Sequence, residues 1–347
     1  MGLSLISELP VCPVFGRCGG CQHQDISYEE ELRLKSAALR ELLRVHLGDI
    51  PFEFLGPVAS PKIYNYRNRL DLRLKKTRDG VMHIGFSSGG RGPVLEIDHC
   101  PIAIEAISSF IPQLKKEAAA VLPPKYKIAN LTVRCGDDEV VRWGGIGRRS
   151  LSLKPEDYFV THICGREIFF SLDTFFQANL SILPGVMDTL RNMPVWSKDA
   201  VFFDLYGGVG FFGLCVHDLV GRVVNIEENV HAVKLARHNI DVNKVPNSEL
   251  FEGRVEDVLP GMLELESYEN NILMVDPPRA GLSPQSVDLL NSLSHVKHLI
   301  YLSCNPQTLA ENLKRLIAGP WRIVSIQPFD FFPRTRHLET LVLLRRS

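Results

Sequence analysis

The 347-residue sequence has no apolar run approaching the roughly 18 residues that a membrane-spanning helix needs. Its first residues, MGLSLISELPVCP, place no basic residue ahead of the apolar ones, so we expect no signal peptide. Internal repeats and low-complexity tracts are absent as well. These absences predict a soluble cytoplasmic protein without a membrane segment. The length exceeds what one compact core usually holds, which predicts at least two domains.

Cysteine and net charge are also low. Eight cysteines are too few for a disulfide scaffold in a chain of this length, and clustered cysteines in a cytoplasmic protein more often bind metal or act in catalysis. The 39 Lys and Arg residues nearly balance the 40 Asp and Glu residues, for a net charge of −1. This balance excludes a protein coated in positive charge but is compatible with a local basic patch.

Three regions differ in their residue pattern. Residues 1–50 contain a cysteine cluster and then a helical pattern whose expected N-cap is Ser27. Residues 51–175 are short extended runs broken by Gly and Pro, which predicts a mainly antiparallel sheet with one helix near 102–120. Across residues 176–347, strands alternate with helices, which predicts a parallel sheet with helices on both faces.

A glycine-rich turn follows the predicted strand in VFFDLYGGVGFFGL, residues 201–214. Glycines allow a tight turn and close approach of a ligand to the backbone. Glu227 ends the next predicted strand, where a carboxylate can accept both hydroxyls of a ribose. The G-x-G-x-x-G pattern from Gly208 is compatible with a dinucleotide, whereas Asp204 ahead of the turn is typical of S-adenosylmethionine binding. This stretch alone leaves both nucleotides open.

Three further motifs place reactive side chains at the ends of predicted strands. Because ligands of open α/β sheets bind at the carboxyl edge, we expect these side chains to share one site. The motifs are VDPPRAGL (275–282) with Asp276, YLSCNPQTL (301–309) with Cys304, and DFFPRTRHLETLVLL (330–344) with Glu339.

This set of motifs resembles the S-adenosylmethionine-dependent RNA uracil-5-methyltransferases. The resemblance runs from Cys12 to the last strand and implies a Rossmann-like class I methyltransferase domain, with a mostly parallel sheet and an antiparallel last strand. It also implies a smaller, mainly antiparallel β domain for RNA binding and an N-terminal iron–sulfur segment. The motifs that carry it are FFQAN (175–179), DLYGGVG (204–210), VDPPR (275–279), SCNP (303–306) and HLE (337–339).

The chemistry of this family requires a nucleophilic cysteine and a general base. C5 of uracil is a poor nucleophile until a thiolate adds to C6, and a base must afterwards remove the C5 proton. The resemblance implies that Cys304 is the nucleophile and Glu339 the base. A thiolate needs a partly exposed, electropositive position, for which Arg279 or the following helix N-terminus is the expected source.

The cofactor contacts implied by the resemblance are Gln177, Tyr206, Gly208, Glu227 and Asp276, with Glu227 on the ribose. One position departs from the pattern. Some members carry Asn where this chain has Phe211, so a polar contact to the cofactor is missing or replaced.

The cysteine cluster consists of Cys12, Cys18 and Cys21, spaced C-x5-C-x2-C, with Cys100 as the fourth candidate. Zinc and a [4Fe–4S] cluster both accept four thiolates, and spacing alone leaves the two open. The family resemblance implies a [4Fe–4S] cluster. His23 and His99 are near enough in sequence to compete as ligands, but we expect hydrogen-bond or RNA contacts from them. The other cysteines, Cys135, Cys164 and Cys215, are expected in the core.

RNA contacts are expected in IYNYRNRLDLRLKKTR (63–78), where tyrosines alternate with arginines and lysines. Tyr64 and Tyr66 could stack on bases, and the cations could bind phosphates. Arg67 and Arg69 match the family's YRNR run and are the residues we assign to RNA.

The sequence starts eleven residues before Cys12, so we expect no extra N-terminal β-barrel domain. With the cysteine cluster, this resembles the short bacterial enzymes that act on a uridine of 23S rRNA, which predicts a role in rRNA processing. A tRNA uracil-5-methyltransferase is the alternative, and a non-catalytic iron–sulfur RNA-binding assembly factor is a second one. We expect the protein to act as a monomer.

Overall fold

The computed structural model describes residues 8–87, 93–121, 127–145, 158–265 and 270–347. Within these ranges the strands form an eight-stranded sheet, a five-stranded sheet and a two-stranded hairpin. No helix in the described part of the chain is long and apolar enough to cross a membrane.

The first half of the chain builds the five-stranded sheet, which is antiparallel with strand order β4-β3-β2-β5-β6. One helix, α2, packs on it, as expected for residues 51–175. The elements are α1 (Tyr28–Leu47), β1 (Glu53–Phe54), β2 (Arg69–Lys76), β3 (Met82–Ser87), β4 (Val94–Glu96), α2 (Glu105–Val121), β5 (Ile128–Cys135), β6 (Val141–Gly145), β7 (Tyr158–Ile163) and β8 (Arg166–Ser171).

The second half alternates helices and strands. Its elements are α3 (Leu183–Arg191), β9 (Val201–Leu205), α4 (Phe211–Val216), β10 (Arg222–Glu227), α5 (Val230–Val242), β11 (Ser248–Glu252), α6 (Val255–Leu265), β12 (Asn271–Val275), α7 (Pro284–Ser292), β13 (Val296–Ser303), α8 (Pro306–Ala318), β14 (Trp321–Phe329) and β15 (Glu339–Arg346).

The eight-stranded sheet has the order β1-β14-β15-β13-β12-β9-β10-β11. Most neighbours are parallel, and β15 lies antiparallel between β13 and β14. Successive residues of its strands enter opposite cores: Phe202 faces one apolar cluster and Phe203 the other. The mostly parallel sheet with an antiparallel last strand and the separate antiparallel sheet confirm the predicted fold class.

Helix α1 covers one face of this large sheet. Ser27 is its N-cap, because its side chain accepts a hydrogen bond from the Glu30 N–H at 3.2 Å, as the sequence predicts. Leu39, Leu43 and Leu47 recur every four residues and pack into the same core as α8. The short strand β1 then pairs with β14, so the amino-terminal segment completes the eight-stranded sheet.

The β7–β8 hairpin packs against α5 through two asparagine side chains. Asn239 accepts from the Phe169 N–H at 2.8 Å and donates to the Phe169 carbonyl at 3.0 Å. Asn243 likewise accepts from the Glu167 N–H at 3.1 Å and donates to the Glu167 carbonyl at 2.7 Å. These amides satisfy backbone groups on the edge of β8.

The turn of this hairpin corrects one expectation. Cys164 is exposed, whereas Cys135 and Cys215 are buried. Cys164 and Gly165 have φ values of 52° and 71°, as a two-residue hairpin turn with two left-handed positions requires. The side chain therefore lies at the tip of a turn, and the prediction of a core position for Cys164 is wrong.

Candidate active site

Three acidic or aromatic side chains follow neighbouring strands at the carboxyl edge of the large sheet. Leu205 pairs with Ile226 of β10 on one side and with Val275 of β12 on the other. The next residues along these strands are Tyr206, Glu227 and Asp276. The register therefore sets these three predicted cofactor contacts side by side along one edge.

The two residues predicted to carry the chemistry lie opposite each other. Ser303 of β13 pairs with Thr340 of β15, and the strands are antiparallel, so the next position sets Cys304 against Glu339. Asn305 caps the following helix by accepting from the Gln307 N–H at 3.1 Å. Cys304 therefore occupies the junction between a buried strand and a helix N-terminus, half-exposed toward the edge.

The acid–base character of this pair is set by burial. Burial and the carboxylates of Glu339 and Asp276 raise the pKa of the Cys304 thiol to about 11, although Arg279 opposes the shift. Burial raises the pKa of Glu339 to about 7, again against Arg279. Burial, Glu339 and Asp204 raise the pKa of Asp276 well above its ordinary value. Arg279 is thus present as expected, but its influence is outweighed, and the free thiol is protonated at neutral pH.

Glu339 keeps one oxygen available. Its side chain is only 3% exposed, and Oε2 has no hydrogen-bond partner among the described residues. A buried carboxylate without a donor is costly unless a ligand or proton satisfies it. Together with a pKa near neutrality, this makes Glu339 chemically suited to take up a proton.

Glu227 organises the glycine turn. Its two oxygens accept from the Gly208 N–H at 2.9 Å and the Asn229 N–H at 2.7 Å. Tyr206 and Gly208 have positive φ values of 63° and 56°, which is unusual for tyrosine and places strain at the turn. A Cβ on Gly208 would meet only the Phe175 carbonyl, at 4.0 Å, so the turn leaves open space beside it.

A buried arginine that sequence reasoning missed holds the segment before Gln177. Arg134 on β5 is fully buried and donates to the carbonyls of Ser171, Thr174 and Phe176 at 2.7, 2.9 and 2.8 Å. Gln177 itself is 4% exposed. The only sequence signal for Arg134 is its place in the apolar run LTVRC, because arginine is rarely buried in a strand. That signal is recognisable once the structure is known.

Phe211, the position of the departure noted above, is a packing residue. It is 4% exposed, and its ring lies edge-on to Phe176, with centroids 5.7 Å apart. It therefore supports the segment that carries Gln177 through apolar contact and offers no polar group there.

The four predicted cluster cysteines line one cavity. It has a volume of about 100 Å³ and lies between the segment that carries Cys12, Cys18 and Cys21 and the strand residues near Cys100. Burial raises the pKa of the Cys21 thiol to about 12, and the other three cysteines add to the shift. His99 also lines this cavity, whereas His23 does not.

The described residues contain no group of three or more His, Cys, Asp or Glu side chains that could hold a single metal ion. The binding of a metal or cluster by these cysteines therefore stays a prediction.

The two predicted RNA arginines differ in their surroundings. Arg67 lines the cysteine cavity and lies 5.9 Å from the ring of Phe332, whereas Arg69 forms an ion pair with Asp71 at 3.0 Å. Tyr66 is buried and donates to the Pro333 carbonyl at 3.0 Å, so its ring is not available for stacking on a base.

The strand order, the glycine turn and the row of Tyr206, Glu227 and Asp276 define the class: a Rossmann-like α/β domain whose candidate site lies at the carboxyl edge of its sheet. The family model described as tRNA (uracil-5-)-methyltransferase matches residues 153–347. The match spans more than half of the chain, and the chain belongs to this family. The protein is an S-adenosylmethionine-dependent RNA uracil-5-methyltransferase.

Relatives and solved structures agree with this assignment. RNA methyltransferases from Clostridium tetani and Aquifex aeolicus are 28% and 29% identical, over 99% and 96% of this chain and 87% and 83% of the relatives. A Pyrococcus abyssi tRNA (uracil-54, C5)-methyltransferase in complex with S-adenosyl-L-homocysteine superposes with a TM-score of 0.72 and 24% identity. That superposition covers 94% of this chain and 85% of the other, which shows a shared fold.

Proposed function

We propose that the protein methylates C5 of one uridine in 23S rRNA, with Cys304 as nucleophile and Glu339 as general base. The observation that carries the proposal is the position of Cys304 against Glu339, next to the row formed by Tyr206, Glu227 and Asp276.

The residues present fit the cofactor. Glu227 fixes the glycine turn and retains lone pairs for ribose hydroxyls, and the space beside Gly208 allows a ligand to approach the backbone. Tyr206, Gln177 and Asp276 complete the set of contacts that we assign. When bound, S-adenosylmethionine supplies an electrophilic methyl group.

The protein's own groups then act in sequence. The thiol proton of Cys304 passes to water, and the thiolate forms a bond to C6 of uracil while the C5–C6 π electrons move toward C5 and O4. C5, now nucleophilic, forms a bond to the methyl group as the bond from that methyl to the sulfonium sulfur breaks, which leaves S-adenosylhomocysteine. Glu339 removes the C5 proton, the electron pair re-forms the C5–C6 double bond, and the bond from C6 to sulfur breaks. The thiolate is regenerated, and the proton on Glu339 passes to water.

A [4Fe–4S] cluster held by Cys12, Cys18, Cys21 and Cys100 is part of the proposal. Four thiol groups around one cavity match the donor set of such a cluster. In zinc sites four ligands meet at one ion, whereas in a cluster each thiolate binds a different iron. The cavity lining is compatible with either arrangement, and it is the family resemblance that selects the cluster. When bound, it would link the amino-terminal segment to the five-stranded sheet.

The RNA assignment rests on the match of Arg67 and Arg69 to the YRNR run of the family. Arg69 is assigned as a second contact on the expectation that phosphate competes with its ion pair to Asp71. A uridine of tRNA is the second candidate substrate, favoured by the description of the family model and by the Pyrococcus abyssi neighbour. A non-catalytic RNA-binding role is supported less well, because it gives no reason for Cys304 and Glu339 to face each other.

The test compares two variants on 23S rRNA and on tRNA from cells that lack the enzyme. Cys304→Ala should abolish methylation and form no adduct. Glu339→Gln retains the nucleophile but blocks proton removal, so methylated RNA should stay attached to Cys304 and migrate as a slow band that ribonuclease removes. Full turnover by Glu339→Gln would contradict the assigned base, and methylation of tRNA but not of rRNA would select the alternative substrate.

A further inference from the structure

The turn that carries the proposed base is held by one unusual residue. Residues 330–338 connect β14 to β15, and Glu339 is the first residue of β15. Within this turn Arg334 has φ of +66° and is 2% exposed. A non-glycine residue in this conformation persists only where its surroundings fix it strongly.

The backbone of Arg334 is bound on both sides. Its N–H donates to Glu31 Oε1 at 2.7 Å, and its carbonyl accepts from the N–H groups of Gln22 and His23 at 2.9 and 3.1 Å. The side-chain carbonyl of Gln22 also accepts a hydrogen bond from the Arg336 N–H at 2.9 Å. The turn is thus joined to the residues that directly follow Cys21.

The guanidinium of Arg334 strengthens the same junction. It donates to the carbonyls of His23 and Ile26 at 3.1 and 2.8 Å, and it lies 5.2 Å from the ring of Tyr64. The carboxylate of Glu31, which is fully buried, lies 3.8 Å away. Arg334 therefore closes a buried contact between three parts of the chain: the cysteine-rich segment, α1 and the turn before Glu339.

We propose that Arg334 is a positioning residue for Glu339, which it serves by locking the turn 330–338 to the segment after Cys21. Only four residues separate Arg334 from Glu339, and no described residue donates a hydrogen bond to Glu339 Oε2 to hold it in place. Placement of the base depends on the backbone that carries it. A misplaced base slows proton removal. It does not slow the earlier attack of Cys304 on C6, since Cys304 belongs to a different element and a more distant carboxylate opposes its thiolate less.

This inference rests on the proposed function and deepens it. The cysteine-rich segment would then help to place the base, because Gln22 and His23 directly follow Cys21, the third cluster cysteine.

The experiment measures adduct formation and adduct release separately, on the RNA that the wild-type enzyme methylates. Arg334→Ala removes the side chain, Arg334→Gly removes it but tolerates the positive φ, and Gln22→Ala removes the acceptor for the Arg336 N–H. Arg44→Ala is the matched control, since Arg44 is an exposed α1 arginine that pairs with Glu41.

We expect the Arg334 variants to release RNA about 10- to 100-fold more slowly, with adduct formation no slower than in the wild type, so that the adduct accumulates. Gln22→Ala should also slow RNA release without slowing adduct formation, but to a smaller degree. Arg44→Ala should slow neither step. Equal slowing of both steps in all three variants, or unchanged release, would overturn the inference.

The Glu339→Gln variant distinguishes a wrong role for Arg334 from a wrong assignment of Glu339 as the base. Adduct in Glu339→Gln without adduct in the Arg334 and Gln22 variants would overturn this inference alone. Absence of adduct in Glu339→Gln would overturn the assigned base, and the inference with it. If Arg334→Ala does not fold, Gln22→Ala and Arg334→Gly provide the same readout.

Discussion

The buried guanidinium of Arg134 donates a hydrogen bond of 2.8 Å to the backbone carbonyl of Phe176, in the segment that connects β8 to α3. Arg134 belongs to β5, and Phe176 directly precedes Gln177. The cofactor contact assigned to Gln177 therefore depends on a residue of the five-stranded sheet.

Replacing Arg134 by Met should weaken cofactor binding. Met has a similar apolar length but leaves the carbonyls of Ser171, Thr174 and Phe176 without their donor, and each unsatisfied buried group costs about 1–3 kcal/mol. We expect S-adenosylhomocysteine affinity, measured by calorimetry, to fall at least about 10-fold, equal to about 1.4 kcal/mol. Arg142→Met, on the neighbouring strand, is the control. Unchanged affinity in Arg134→Met would show that the loop is held by other contacts.

The reactivity of Cys304 should depend on the charge of Glu339. The Glu339 carboxylate contributes to the raised pKa of the Cys304 thiol, so Glu339→Gln should lower that pKa and increase the thiolate fraction at a fixed pH. The rate of iodoacetamide alkylation of Cys304 can be measured by mass spectrometry of its peptide over pH 6–11. We expect this rate to be higher in Glu339→Gln than in the wild type at pH 8. Glu311→Gln, on the exposed side of α8, should have no effect. Slower alkylation in Glu339→Gln would mean that the carboxylate assists the thiol.

Loss of one cluster cysteine should abolish iron binding. Anaerobically purified wild-type protein should be brown, with about four irons and four sulfides per chain. Cys100→Ser should lose this absorbance, whereas Cys135→Ser, at a buried cysteine of β5 in the same apolar core, should keep it. Stoichiometric zinc without visible absorbance in the wild type would refute the iron–sulfur assignment.

The buried carboxyl of Asp204 should destabilise the cofactor-free protein as pH rises. Burial and Glu227 raise its pKa to about 7, against about 3.9 in an unfolded chain. Between these values the folded state retains a proton that the unfolded state has lost, so unfolding becomes easier as pH rises through this window and then levels off.

Asp204→Asn is uncharged and can still accept the Gly213 N–H, which Asp204 Oδ2 binds at 3.0 Å. The free energy of unfolding of Asp204→Asn, measured in urea, should exceed that of the wild type by little at pH 4 and by several kcal/mol at pH 8. Asp288→Asn, an exposed residue of α7, should show no such trend. A constant difference at all pH values would argue that Asp204 is ionised throughout.

The sequence carries enough information for the carboxyl-edge site because the carboxyl ends of parallel strands share one edge. Asp276 and Cys304 each follow an apolar strand, so their convergence is predictable from local patterns. The place of Glu339 opposite Cys304 depends on an antiparallel strand, which only the family resemblance suggested.

Long-range contacts were not predictable in this way. Lys35 forms an ion pair of 2.8 Å with Asp330, and residues so far apart in sequence leave no periodic signal that relates them. The roles of Arg134 and Arg334 depend on carbonyl groups of other segments, which sequence patterns do not encode. Cys164 was misjudged because an alternating apolar pattern does not reveal which residue occupies the turn.

The pairing of β1 with β14, and of α1 with α8, has a consequence for the order of events during synthesis. Both early elements leave the ribosome long before their partners, and at about 5–20 residues per second the delay is on the order of tens of seconds. Throughout that interval the apolar stripe formed by Leu39, Leu43 and Leu47 lacks the packing that α8 and β14 later provide. The nascent chain is therefore a natural client for chaperones, and a ribosome stalled before β14 would display an aggregation-prone helix.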